Sequence, residues 1–422
     1  MNMTAGLPLE GIRIIDLSMV WAGPYATRIL ADMGAEVIKI ESVNNYDLLR
    51  TFVFLPQGTE RPYNRGAFFN HYNRNKLGIT LNLAKPRGVG IFKKLVEISD
   101  VVIENYRPDV MGKLGINYEV LKEVKPDIIM VSMPGHGKTG PEKDNYAYGT
   151  HVEQLAGLVS ITGYPDGHLQ RSGISYGDPV AGTMAAGAVA TALHRRRSTG
   201  KGQYVELAQR ENLTRFVGEA IMDLTMNRRI WPTIGNRHTC MAPHGCYRCK
   251  GDDAWVTIAV DTDEQWGCFC RALGDPPWAE YVAFADSLSR WKNQDELDRL
   301  VEAWTMVRTP HEVMHTLQSK AVAAGVVMDS RALLEDPHLN DRGFWETVTH
   351  PDAGTWKMEG PTCRLVDTPA HIRMPPPCFG QHNDHVFRYL LNLTDLEIKQ
   401  LVDEEIIGTA PLIPDHLLLM QM

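Results

Sequence analysis

The feature that most constrains this chain is an alternation, through its first half, of short unbroken apolar runs with segments of helical spacing. Ile12 to Leu17, Ala35 to Ile40, Gly78 to Leu83, Val101 to Glu104 and Ile128 to Ser132 read as strands. Pro24 to Met33, Pro86 to Ile98 and Tyr118 to Val124 read as the helices between them. A strand with one wet face alternates apolar and polar residues, and these do not. They predict an α/β domain whose parallel sheet is covered by helices on both faces. Ligands of such sheets bind beyond the carboxyl ends of the strands, so each turn after a strand is a candidate site.

A chain of 422 residues is too long for one ordinary core, and its pattern changes near residue 228. Residues 1–227 are expected to form the N-terminal part of a large α/β domain, ending in helical spacing from Gln209 to Asn227. Residues 228–345 read as a polar linker and a small α+β domain. It holds two strands around a turn, Cys246 to Val260, then helices near Asp263 to Leu273, Gln294 to Met306 and Pro310 to Ala324. Residues 346–422 carry helical patterns at Asn383 to Leu391 and Thr394 to Asp403 and are expected to return to the large domain.

Charge and cysteine content exclude several classes. A net charge of −8 argues against coating nucleic acid, while leaving room for a local basic pocket. No run approaches the roughly 20 apolar residues of a membrane span, and Met1 to Pro8 lacks the basic and apolar parts of a secretory signal. Seven cysteines, an odd number, fit a reducing cytoplasm better than a disulfide scaffold. His238, Cys240, His244, Cys246 and Cys249 cluster in sequence, but no second Cys-x-x-Cys pair follows, so no metal is expected.

Chemistry concentrates at Gly177-Asp178-Pro179, ahead of the small-residue run Val180 to Leu193. An acid there sits at the positive end of a helix dipole, and Asp-Pro is also what an ordinary helix start looks like, Asp as cap and Pro at the first position. Gly135 to Gly140 matches a dinucleotide fingerprint after a predicted strand, yet Pro141 to Asn145 does not open the helix that pyrophosphate binding needs. Ser132 stands where a P-loop requires its first glycine. A glycine loop beside the active site is the reading that remains.

Context raises Asp178 above a helix cap. Arg171 to Gly182, Thr199-Gly-Lys-Gly-Gln203, Leu7 to Ser18, Ala22-Gly-Pro24, Gly34 to Glu41, Glu104 to Pro108 and Ala242 to Gly251 together resemble the family III CoA-transferases over nearly the whole chain. The resemblance implies a Rossmann-like parallel-sheet large domain, a smaller α+β domain, and a dimer of interlocked rings whose partner is an identical or a paralogous chain. It implies Asp178 as nucleophile. It also implies CoA contacts from Trp21, Ala22, Leu81, Asn82, Leu83, Asn105, Tyr106, Arg107 and Lys113, with Trp21, Gly137 and Tyr148 at the substrate pocket. CoA and acyl-CoA enter as substrates, alongside a carboxylic acid, and no cofactor is tightly held.

CoA needs cationic donors for its phosphates, and Arg107 and Lys113 follow the strand Val101 to Glu104. Formyl-CoA transferase has Gln where this chain has Trp21, Arg where it has Ser42, and a tetraglycine loop absent from Gly235 to Pro243. These departures point away from a small acid such as oxalate and toward a mid-sized, partly apolar acceptor, aromatic or dicarboxylic; the overall resemblance implies succinyl-CoA as the donor. The related racemases pair their Asp with a His thirty residues earlier, where this chain has Tyr148, and His151 lies three residues off. Racemase, and a non-catalytic subunit of a hetero-oligomer, are the alternatives.

Overall fold

A computed structural model describes residues 6–52 and 58–413. They divide into two compact units. The first takes the described residues up to Leu158, then Arg171–Arg229, and those from Asp341 onward; the second takes Val159–Gln170 and Ile230–Asn340. The excursion at Val159–Gln170 has no counterpart in the expected boundary near residue 228.

In the first unit the described residues build a six-stranded sheet from β1 (Arg13–Asp16), β2 (Glu36–Glu41), β3 (Lys76–Thr80), β4 (Val101–Glu104), β5 (Ile129–Ser132) and β6 (Tyr204–Glu206), ordered β3-β2-β1-β4-β5-β6. Every neighbouring pair is parallel. Up to Arg229 its helices are α1 (Ala22–Asp32), α2 (Ala67–Tyr72), α3 (Pro86–Glu97), α4 (Val110–Lys113), α5 (Tyr118–Val124), α6 (Gly149–Leu155), α7 (Gly177–Thr199), α8 (Gln209–Thr214) and α9 (Gly218–Asn227), and the returning C-terminal part adds helical segments at His385–Leu390 and Asp395–Asp403. Consecutive strand residues face opposite sides and both sides are buried, which is why the runs are unbroken. Ile15, Ile38, Ile79, Val102 and Met130 pack against Phe92 and Leu95 of α3, Leu121 of α5, and the C-terminal residues Val386, Phe387, Leu401, Ile406 and Ile407. Ile14, Val37, Val101, Ile103 and Val131 pack against the alanine-rich faces of α1 and α7. A Cβ at Gly182 would press on the Ala22 carbonyl and the Tyr25 ring, so glycine lets these two helices meet closely.

The strand ends β1 to β3 carry a buried ionic cluster. Lys76 reaches Asp16 at 3.0 Å, and Lys39 reaches Asp47 at 3.1 Å; all are fully buried. Burial disfavours the Asp16 anion, but Lys76 and Lys39 outweigh it and hold its pKa below the usual value. Arg50 grips Glu41 at 2.8 Å and lies 3.5 Å over the Phe69 ring. A further hairpin, β10 (Trp345–His350) with β11 (Gly354–Glu359), lies in the same unit, and its Glu359 pairs with Arg28 at 2.6 Å.

The second unit is α+β. Strands β7 (His244–Arg248), β8 (Trp255–Ala259) and β9 (Ala323–Val326) form an antiparallel sheet, covered by helices Asp263–Leu273, Gln294–Thr305 and Pro310–Gln318. Tyr247, Val256, Ile258, Phe269, Leu297, Val301, Val313 and Leu317 fill its core.

Several expectations need correction. The third strand starts at Lys76 and ends at Thr80, so Leu81 to Leu83 lie beyond it. As expected, the run from Gln209 to Asn227 is helical throughout, tightening to 3-10 geometry over Arg215–Val217. The helix from Pro310 stops at Gln318, and Ala323–Val326 is a strand. Among the described residues no group of three His, Cys, Asp or Glu side chains is arranged to hold a metal ion.

Candidate active site

The strand order reverses at β1, with β2 on one side and β4 on the other, and connections diverge there to leave a crevice beyond the carboxyl ends. The turn after β1 is held tightly. Asp16 accepts from the Ser18 N–H at 3.0 Å, Asn105 pins Met19 through both its N–H (2.8 Å) and its C=O (2.7 Å), and Asp47 accepts from the Val20 N–H at 3.1 Å. Val20 is thereby held at φ +67, a left-handed conformation costly for a β-branched residue. The turn delivers Trp21 and the N-terminus of α1 to the crevice.

The resulting cleft holds about 260 Å³ and is lined by the turn Met19–Trp21, by Asn105–Pro108 after β4, by Gly135 after β5, by Lys143, Tyr148 and Gly149, and by Ser175 and Asp178. Asp178 lies in the first turn of α7, which is capped at Tyr176 with no side-chain bond. Asp178 is therefore not the cap that its Asp-Pro sequence suggests. Its carboxylate instead crosses to α1 and accepts from the Ala22 N–H. Two helix N-termini converge on one acid.

Burial disfavours the Asp178 anion, and the nearby carboxylate of Glu153 disfavours it further. Together they outweigh the Ala22 hydrogen bond and push its pKa up from 3.8 to about 7. A Cβ at Gly149 would run into the Asp178 carboxylate, so only glycine leaves room for it. Glu153, one turn along α6, is fully buried. It accepts from the Ser172 hydroxyl at 2.6 Å, from the Ser172 N–H at 3.1 Å and from the Tyr176 N–H.

The sequence-predicted residues divide. Trp21, Asn105, Tyr106, Arg107, Tyr148 and Asp178 line the cleft, and Ala22 touches it through its N–H. Trp21 stacks on Tyr72 with ring centres 5.2 Å apart. Arg107 lies 4.8 Å over the Tyr146 ring. Lys113 is exposed and paired with Asp109 one turn back. Leu81 is buried in the sheet's core with Leu83 against it, and the Asn82 side chain accepts from the Ala84 N–H at 3.0 Å. Gly137 is buried beside Glu206 and Ala208 and does not line the cleft. His151 is exposed, its ring 6.1 Å from that of Tyr148. Lys143, Gly149, Glu153 and Ser175 were not anticipated as site residues; the signals at hand were the proximity of Gly149 to Tyr148 and the place of Ser175 within the Arg171 to Gly182 segment.

The chain matches CoA-transferase family III over residues 9–383. It is 34% identical over 400 residues to a succinyl-CoA–D-citramalate CoA-transferase of Chloroflexus aurantiacus, covering 95% of this chain and 98% of that one. It is 31% identical over 407 residues to the succinyl-CoA–L-malate CoA-transferase beta subunit of the same organism, covering 96% and 99%. Among solved structures, a CAIB/BAIF family protein from Brucella suis superposes with a TM-score of 0.83 at 27% identity, over 92% of this chain and all of that one.

Proposed function

The chain belongs to CoA-transferase family III, and from that premise we propose that it moves CoA from succinyl-CoA to a mid-sized dicarboxylic acid through covalent intermediates on Asp178. The observation that carries the reading is Asp178 itself, a carboxylate in a cleft at the switch point of the sheet, with its basicity raised to a pKa of about 7. A more basic carboxylate is a better nucleophile, and at neutral pH a large fraction remains ionised. The relatives' substrates, citramalate and malate with succinyl-CoA, support the choice of donor and of acceptor class.

An Asp178 oxygen attacks the thioester carbonyl; the C–S bond breaks and its electron pair leaves as CoA thiolate, giving a mixed anhydride. The thiolate attacks the Asp178 carbonyl carbon, releases the donor acid as carboxylate and forms an aspartyl-CoA thioester. The acceptor carboxylate then attacks that thioester, and the returning thiolate takes the acceptor's acyl group and frees Asp178. Each adduct stays activated, so the exchange is divided into acyl transfers of similar energy. Arg107 and Lys143, both in the cleft, supply cations for the CoA phosphates, and Asn105 and Tyr106 supply the wall between them and Asp178. Of the remaining expected contacts, the exposed Lys113 is assigned to the outer part of the CoA path, whereas Leu81, packed in the sheet's core, acts through the backbone and fold around it rather than by touching CoA.

Acyl-CoA incubated with the protein and quenched with hydroxylamine or borohydride is expected to modify the peptide containing Asp178. A racemase, which needs a second acid/base group across the reacting carbon, leaves no such mark and instead washes solvent deuterium into the α-carbon. Deuterium exchange without a trapped adduct refutes the transferase. Assembly with a second copy or with a paralogue is part of the proposal; it is supported by the exposed Ile221, Met222, Leu224 and Met226 of α9 and by the relative that is a beta subunit. A cytoplasmic location accords with the unpaired cysteines, and among the described residues no helix is long and apolar enough to cross a membrane.

A further inference from the structure

We propose that Glu153 is a positioning residue for Asp178: its buried carboxylate fixes the turn that launches α7, and its charge drives Asp178 toward the neutral, acylated state. The inference rests on the transferase reading and names a device within that site.

The geometric half lies in the hydrogen bonds. Ser172 and Tyr176 bracket the turn ahead of α7, and three of their donors converge on Glu153. Tyr176 is the residue at which α7 begins, and the Asp178 N–H bonds to the Ser175 carbonyl at 3.0 Å within the same turn. Glu153 thus holds the stretch whose next residues aim Asp178. Its own helix contributes Gly149, which makes room for the Asp178 carboxylate, and Val152, which packs on Gly177. One short helix therefore sets where α7 starts and where its acid points.

The electrostatic half follows from which groups face Asp178. Glu153 faces it from α6 and Tyr72 from α2, while α1 presents only the Ala22 N–H; Tyr148, Lys143 and Arg107 line the cleft around it. The only anion among these is Glu153. When Asp178 attacks the thioester, the C–O bond forms as the C–S bond breaks, and the negative charge leaves with the CoA sulfur. Two buried carboxylates become one, so the adduct is favoured over the free carboxylate by the repulsion that disappears. Thiolate attack on the anhydride keeps Asp178 neutral, so the aspartyl-CoA thioester gains equally.

Glu153→Gln keeps the volume and offers an amide oxygen to the Tyr176 N–H while removing the charge. The ratio of trapped Asp178 adduct to free enzyme, at fixed succinyl-CoA and free CoA, is expected to fall about tenfold, and the acid limb of kcat/KM to move about one pH unit lower. Glu153→Asp, which withdraws the charge by one methylene, is expected to fall between. A role in folding alone lowers the amount of active protein without moving either readout. An unchanged adduct ratio and acid limb in either folded variant overturns the proposal, provided the wild type gives an adduct; a wild type that gives none with any acyl-CoA refutes the transferase reading instead.

Discussion

Replacing Asp178 with Asn is expected to make the protein more stable, and chiefly above neutral pH. The folded carboxyl titrates at about 7 against an ordinary value of 3.8. Stability from its protonated form is therefore complete below 3.8 and lost as pH rises through 7. Taken at face value, the anion at pH 8 costs the fold about 4 kcal/mol relative to the acid. Partial exposure of the side chain and the favourable dipole of α7 soften this to about 2 kcal/mol. Asn carries no such penalty, its amide oxygen still accepts from the Ala22 N–H, and no helix cap is lost because α7 is capped at Tyr176. Urea unfolding followed by circular dichroism is expected to show the variant ahead by about 2 kcal/mol at pH 8. At pH 5 the folded wild-type carboxyl is already protonated, and less than half of the advantage remains. A variant no more stable than wild type at pH 8, or a gain of equal size at both pH values, refutes the argument that this acid is held against its own folding energy.

The other predictions concern turnover. The acid limb of wild-type kcat/KM is expected near pH 7, with activity rising as Asp178 ionises, measurable from initial rates between pH 5 and 9. Arg107→Ala is expected to raise KM for acyl-CoA and dissociation of free CoA about tenfold with little effect on the acceptor, as calorimetry with CoA will show. Gly149→Ala puts a methyl group where the Asp178 carboxylate lies and is expected to lower kcat by at least about 100-fold while CoA still binds. Trp21→Ala removes an aromatic wall stacked on Tyr72, so bulky acceptors are expected to lose more kcat/KM than small ones in a competition assay.

The sheet was legible because a two-sided burial pattern leaves unbroken apolar runs, and β4 and α5 begin and end where those runs do. It failed at β3 for a physical reason. Lys76 opens that strand fully buried, its charge met by Asp16 sixty residues away, and a lysine reads as surface unless its partner is known. The strand Ala323–Val326 was hidden by small residues that suit a helix equally well until the edge of β8 claims them. At the site, Asp178 stood out by its neighbours in sequence. Glu153 and Gly149 did not, because their meaning lies in how close they come to Asp178 in space; along the chain each is an ordinary residue of a short polar helix.

The C-terminal residues that cover one face of the large sheet also set a timetable for synthesis. All six strands have emerged once Glu206 leaves the ribosome, yet Val386, Phe387, Leu401, Ile406 and Ile407 complete that face's core. At ordinary elongation rates the interval is about 10–40 s, far longer than a sheet needs to form. Throughout it, Ile15, Ile38, Ile79 and Met130 keep a greasy surface only part-covered by α3 and α5, while residues Ile230–Asn340, the larger part of the second unit, are being made. The nascent chain thus carries an unfinished apolar side of the kind that chaperones cover, and a chain ending shortly before Val386 is expected to be degraded or to aggregate even though every residue of the cleft is present.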